Sequence, residues 1–176
     1  FGRIQRTFGK VRASLNSSFN YSKINQFIQQ LRSVNEGFTQ TYTPSIRTNF
    51  LVAPNFNLSY RYSITNNLQG ERQTKFITHA PSLSFDAYIV EKFTLKSNYI
   101  YTIQEQVGSN SRSFQIWNAS LSYRKDKDSK WEYEAKATNL LNISSQVRNS
   151  ANTVSVFNAT TFIQPRFITA RVVYSL

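Results

Sequence analysis

The residues that could do chemistry are few. His79 is the only histidine. A hydrolase would set it beside a serine and an acid on one rim, but its place in an alternating segment puts it on the apolar side, as a rim or lipid-facing structural residue. Glu132 and Glu134 share a face, a spacing from which a paired-carboxylate mechanism could start. Lys136 follows on that face with further bases nearby, so the pair reads as part of a neutralised ion network. Cysteine is absent, which removes a thiolate nucleophile, a disulfide framework and a cysteine metal site. A second histidine is missing, the Asp and Glu residues follow no cation-cage spacing, and no glycine loop could cradle a phosphate. The expectation is therefore no enzyme, no cofactor and no metal. The Lys125-Asp126-Lys127-Asp128-Ser129-Lys130 run reads as a solvated turn, and the Asn118-Ala119-Ser120 sequon, inside a predicted strand, carries no weight.

The elements that must position these residues are strands. The 176 residues fit one domain over 1–176, with no run of about 18 uncharged apolar residues that would mark a membrane helix. A mean hydropathy of -0.44 points to a polar chain, yet 14 Phe and 10 Tyr are too many aromatics for disorder. The chain opens without Met or a signal-like segment, which predicts a processed product or a piece of a longer one. Period-2 alternation recurs throughout, most clearly where Phe56, Leu58, Tyr60, Tyr62 and Ile64 oppose Asn57, Ser59, Arg61, Ser63 and Thr65.

The same parity predicts about eight strands. The first sets Val11, Ala13, Leu15, Phe19 and Tyr21 against Arg12, Ser14, Asn16 and Ser18. The second sets Tyr42, Pro44, Ile46 and Phe50 against Ser45, Arg47 and Asn49. The fourth sets Ile77, Leu83, Phe85 and Ala87 against Ser82, Ser84 and Asp86, and the fifth sets Phe93, Leu95, Tyr99 and Tyr101 against Lys96 and Asn98. Trp117, Leu121 and Tyr123 oppose Asn118 and Ser120 on the sixth, and Trp131, Tyr133 and Ala135 oppose Glu132, Glu134 and Lys136 on the seventh. On the last, Ile168, Ala170, Val172, Tyr174 and Leu176 oppose Thr169 and Arg171.

Short links near residues 52–54, 89–91 and 126–128 alternate with polar links near 24–35, 66–74, 105–112 and 143–157, predicted as long loops. Short turns at one end and long loops at the other describe an antiparallel up-and-down transmembrane β-barrel with periplasmic turns and extracellular loops. Phe50, Phe56, Phe85, Phe93, Tyr123, Trp131 and Tyr174 gather beside the short turns as a lipid-facing aromatic girdle. Arg12, Arg47, Arg61, Asp86, Lys96, Glu132, Glu134, Lys136 and Arg171 are predicted to face the lumen. A soluble sandwich also places aromatics on strands. Against it stand these charges, which suit a wet lumen, and strands of roughly 11 or more residues, long enough to cross hydrocarbon at a tilt.

The formal charge of +12 would suit nucleic acid if bases and aromatics shared a face. They fall on opposite faces, so no nucleic-acid partner is expected. Lumenal bases could attract anions, and the rim bases Arg72, Lys75, Arg112, Arg148 and Arg166 could meet lipopolysaccharide phosphates.

The closing segment RFITARVVYSL resembles the C-terminal strand that outer-membrane barrels present to their assembly machinery, with Leu176 where the family usually ends on an aromatic residue. WEYEAKATNLLN, from Trp131 to Asn142, resembles the penultimate hairpin of TonB-dependent transporters, with Asn139-Leu140-Leu141-Asn142 matching the family's Asn-Leu-x-Asn/Asp turn. Together with the IQPRF entry at Ile163 to Phe167, this is most similar to the Bacteroidetes-type outer membrane protein beta-barrel family. The resemblance implies a Gram-negative outer-membrane receptor of about 22 strands around a plug, taking up a large solute. This chain would be its C-terminal part, without the plug. It further implies partners in the TonB system through that plug, the barrel-assembly machinery, and a surface lipoprotein or larger outer-membrane complex. The alternative is structural: a complete small OmpA/OmpX-like barrel of eight strands, or a receptor-like subunit of a larger complex. Parity alone does not choose between them.

Overall fold

A computed structural model describes all residues except 29–30, 52–53, 71, 90–91, 109–110, 127, 152–155 and 176, with the side chains of 26, 28, 31–32, 148–151 and 156–157 also left aside. The described elements are all strands: β1 (Gly2–Phe8), β2 (Val11–Ile28), β3 (Leu31–Thr48), β4 (Asn55–Gln69), β5 (Arg72–Ile89), β6 (Phe93–Gln106), β7 (Arg112–Arg124), β8 (Trp131–Thr138), β9 (Ser145–Ala151), β10 (Val156–Phe162) and β11 (Phe167–Tyr174). Nine of them form one sheet in the order β1-β2-β3-β4-β5-β6-β7-β8-β11, every neighbour antiparallel, while β9 and β10 pair as a separate hairpin. Among the described residues no pairing joins β1 to β11. Because direction alternates across nine strands, β1 and β11 run the same way.

The main sheet thus has one strand more than expected. β1 is hard to see because Arg3 lies on its polar side and Arg6 on its apolar side beside Ile4 and Phe8, so neither face is free of charge. Arg6 is accommodated by placing its guanidinium over the Phe8 ring, 5.0 Å from the centroid. Gly9, at φ +57, opens the two-residue turn to β2 in a region that costs glycine nothing.

The predicted long loops are corrected as well. β2 and β3 stay paired from Val11↔Thr48 to Ile28↔Leu31, β4 and β5 stay paired up to Gln69↔Arg72, and β6 extends to Gln106. The expected loop over 143–157 holds β9 and the first residues of β10. Asn, Gln and Ser suggested loops because they are polar, but a strand needs only its ladder bonds, and those are made whatever the side chain. β2, β3 and β5 each run 18 residues, against the ~9–11 that cross a bilayer.

Burial is inverted relative to a soluble domain. On the polar face Asn35 is 0% exposed, Asn67 5% and Thr74 6%; on the apolar face Leu58 is 50% exposed and Ile168 73%. These polar residues are covered, as is Phe76 beside them on the same face at 3%, while large hydrophobic residues of the opposite face stand open.

Candidate functional site

The polar face is built in rows, because residues opposite each other across an antiparallel ladder share a side. One row runs Thr7, Arg12, Arg47, Asn57, Ser84, Asn98, Asn118 across seven strands. The next row and those above it are joined by hydroxyls: Ser14 with Ser45 at 2.7 Å, Ser59 with Ser82 at 2.7 Å, Thr41 with Ser63 at 3.0 Å, and Thr39 donating to Thr65 at 3.3 Å. Asn98 Nδ2 donates to Ser84 Oγ at 2.9 Å. These bonds fix side chains along the face without net charge.

Charge is unevenly spread on this face. Glu132 pairs with Arg124 at 2.5 Å and Glu134 with Arg171 at 2.8 Å, both close to the β7–β8 turn and the end of β11. The two carboxylates therefore serve separate arginines. Lys136 stands opposite Ser120 and Thr169, and Asp86 stands opposite Lys96. Arg12 and Arg47 face each other across β2 and β3, and Arg61 lies opposite Ala80. Arg124 was not foreseen; it continues the even parity of Asn118, Ser120 and Ser122, and its place at the lip of the charged turn obscured it.

The apolar face carries a band of rings near the short turns. Phe56 meets Phe85 at 5.2 Å, Phe93 meets Tyr123 at 4.9 Å, Tyr123 meets Tyr133 at 6.4 Å, and Trp131 meets Tyr174 at 4.8 Å. Phe50 is not on a strand face: β3 ends at Thr48, and Asn55 holds the Phe50 backbone in the turn by accepting from its N–H at 2.6 Å and donating to its carbonyl at 3.1 Å. On β11, Ile168, Ala170, Val172 and Tyr174 alternate with Thr169 and Arg171, each paired to β8. Leu176 lies outside the described residues.

Polar side chains interrupt the apolar face, and four of them are hydrogen-bonded to an aromatic neighbour. Trp117 Nε1 donates to Ser97 at 2.9 Å, Tyr99 to Gln115 at 2.9 Å and Tyr42 to Gln40 at 3.3 Å, while Tyr60 Oη and His79 Nδ1 lie 2.5 Å apart. His79 also packs against the Tyr62 ring at 5.1 Å. Its surroundings are aromatic, and among the described residues it makes no ion pair. Farther along β2, Lys23 pairs with Glu36 at 2.6 Å, and that hydrogen bond and charge raise the lysine above its ordinary 10.5.

The Asn139-Leu140-Leu141-Asn142 turn is a polar knot. Asn139 is 3% exposed with φ 52, and Asn142 has φ 55, left-handed conformations that asparagine tolerates. Asn139 Nδ2 donates to the carbonyls of Ile143 at 2.8 Å and Gln164 at 2.9 Å, and its Oδ1 accepts from Ile143 N–H at 2.9 Å. Its own N–H donates to Asn118 Oδ1 at 2.9 Å, and Arg166 N–H donates to Asn142 Oδ1 at 3.0 Å. One side chain thus ties the end of β8 to the approach to β11 and closes the neck of the β9–β10 hairpin.

No family model matches the chain, and no curated protein matches it. Among solved structures it is similar to OmpT (in-vitro folded), an outer membrane protein of Vibrio cholerae, with a TM-score of 0.57 and 11% identity, covering 98% of this chain and 54% of that one. The chain therefore spans 54% of the length of the structure it matches. At this identity the likeness is one of fold: an all-β, antiparallel, up-and-down sheet of nine strands, built as an outer-membrane β-barrel wall is built.

Proposed function

We propose that the chain is wall and rim of a larger outer-membrane barrel in a Gram-negative cell, with its apolar face to lipid, its polar face to the lumen, and no catalytic role. The observation that carries this is the shared direction of β1 and β11. An antiparallel barrel closes only on an even number of strands, and an open edge in lipid leaves backbone groups unsatisfied at several kcal/mol each. An odd number of further strands is therefore required for antiparallel closure. The finer reading is the C-terminal part of a TonB-dependent receptor of about 22 strands. The Asn139 knot gives that resemblance physical content, since the matching residues are those that fasten β8 to β11. In this reading the plug meets the TonB system, the closing strand meets the assembly machinery, and a surface lipoprotein or larger complex meets the projecting hairpins. Lipopolysaccharide phosphates meet the rim bases, among them Lys75.

The second reading is a small structural barrel, favoured by a strand count close to the eight with which compact barrels close. It needs a parallel β1–β11 pair or one more strand. The test is the mass of the protein extracted from outer membranes, run unheated and boiled on a gel. A heat-dependent shift with a boiled mass far above 20.4 kDa is expected. A shift at a boiled mass near 20.4 kDa refutes the receptor reading and leaves the small barrel. No heat shift at all refutes both.

A further inference from the structure

We infer that the polar face where β1, β2 and β3 meet their turns binds a soluble oxyanion, a phosphate- or carboxylate-bearing solute gripped by Arg12 and Arg47. The inference rests on this face being the lumen. A cavity of about 360 Å³ opens there, lined by Thr7, Gly9, Lys10, Arg12, Arg47 and Asn49. No carboxylate lines it, and among the described residues neither arginine has an ion-pair partner. Arg124 and Arg171, on the same face, each have a glutamate of their own.

The placement is mildly unfavourable without a ligand. Arg12 and Arg47 are directly opposed, which brings their Cβ atoms to about 4.5–5.5 Å, and like charges so placed repel. An anion with several oxygens removes the repulsion, because each guanidinium offers a planar fork of donors that matches a phosphate or carboxylate edge. Lys10 adds a third positive charge at the mouth, and Thr7 and Asn49 add neutral donors. The neighbouring cavity, about 230 Å³, shares Arg47 and Asn49, and its only carboxylate is Asp86, two strands away on β5. The field is therefore positive over β1 to β3 and is balanced toward β8 and β11.

The probe is inorganic pyrophosphate, titrated calorimetrically into the full-length protein in detergent micelles. Saturable binding is expected, with Arg12→Gln and Arg47→Gln each weakening it at least about tenfold. Arg12→Lys, which keeps the charge and loses the fork, falls between. Arg61→Gln removes the same charge from the same face outside the cavity and is expected to leave affinity within about twofold. Absence of saturable binding overturns the inference, including the case in which a carboxylate from elsewhere in the protein already fills the cavity. Equal loss in Arg61→Gln also overturns it, by showing a diffuse field. Each preparation is checked for the heat-dependent gel shift: a protein that shifts and does not bind refutes the anion site alone, and one that does not shift refutes the barrel.

Discussion

Replacing Asn139 by alanine tests the role of the polar knot. The change removes three side-chain hydrogen bonds: two donated to the carbonyls of Ile143 and Gln164, and one accepted from Ile143 N–H. Net bonds of about 1 kcal/mol each give roughly 3 kcal/mol, less where water reaches the exposed Gln164 and more where Ile143 is left without a partner. Alanine at φ 52 adds about 1 kcal/mol, because its Cβ crowds the following carbonyl in the left-handed region. The sum is about 3–5 kcal/mol. Asn139→Gly loses the same bonds without the steric part, so it should be about 1 kcal/mol less harmful than alanine. Leu141→Ala, at a residue 38% exposed, is the control and should shift stability by less than about 1 kcal/mol. The assay is urea unfolding in detergent micelles followed by tryptophan fluorescence, with Trp117 well placed because its carbonyl accepts from Leu140 N–H at 2.8 Å. An Asn139→Ala midpoint equal to that of Leu141→Ala refutes the reasoning. Glycine restoring wild-type stability shows that only the backbone conformation matters.

The two faces are separated by adjacent substitutions: Leu58→Arg should cost ~2–4 kcal/mol near mid-membrane and impair insertion into vesicles, while Ser59→Arg should insert normally. Equal tolerance at both positions rejects the facing. Ser97→Ala leaves the Trp117 indole N–H without its 2.9 Å acceptor. In lipid that should lower the unfolding free energy by about 1–2 kcal/mol, and an unchanged midpoint in vesicles means that water reaches the site. The Lys23–Glu36 pair contributes while the lysine is protonated, so its contribution is complete below the ordinary 10.5 and fades as pH rises through the raised value. Urea midpoints measured across that alkaline range should fall in the wild type by slightly more than in Glu36→Gln. Parallel curves show that the pair contributes nothing.

Legibility followed the physics of two faces. Segments such as Asn55 to Thr65 are readable because a sheet with one apolar face places apolar side chains at every second position, and the observed register Phe56↔Phe85, Leu58↔Leu83 and Ser59↔Ser82 keeps those sides together. Where the strands run beyond the length that hydrocarbon needs, that pattern lapses. Lys23, Asn25 and Asn66 then stand at apolar parity, and the strand signal vanishes although the ladder continues. β1 is hidden for a related reason, since Arg6 sits on the apolar side near a turn, with its guanidinium over the Phe8 ring. The Glu132 and Glu134 network was anticipated in kind, but the partners were not. Arg124 and Arg171 are brought in by pairing with β7 and β11, information that spacing within β8 does not contain. The Asn139 turn was visible only as a resemblance, because its bonds reach Asn118 and Gln164 across the fold.

The negative mean hydropathy of the chain is consistent with a membrane wall once the faces are counted separately. Averaging along the sequence mixes a face of hydroxyls, amides and charges with one of Phe, Tyr, Leu and Ile, and in the proposed barrel lipid meets only the second. In the proposed barrel that face also tolerates Ser97, Gln115, Gln40 and His79, since what lipid penalises is an unpaired polar group, and each of these has a Trp or Tyr partner. The aromatic residues thus have two tasks. Near the short turns they pack ring on ring at the level of the girdle, as Trp131 does on Tyr174. Farther up the strands Trp117, Tyr99, Tyr42 and Tyr60 pair with the polar atoms beside them. In the proposed barrel this second task makes loss of Trp117 Nε1 or Tyr99 Oη more damaging than loss of comparable apolar area.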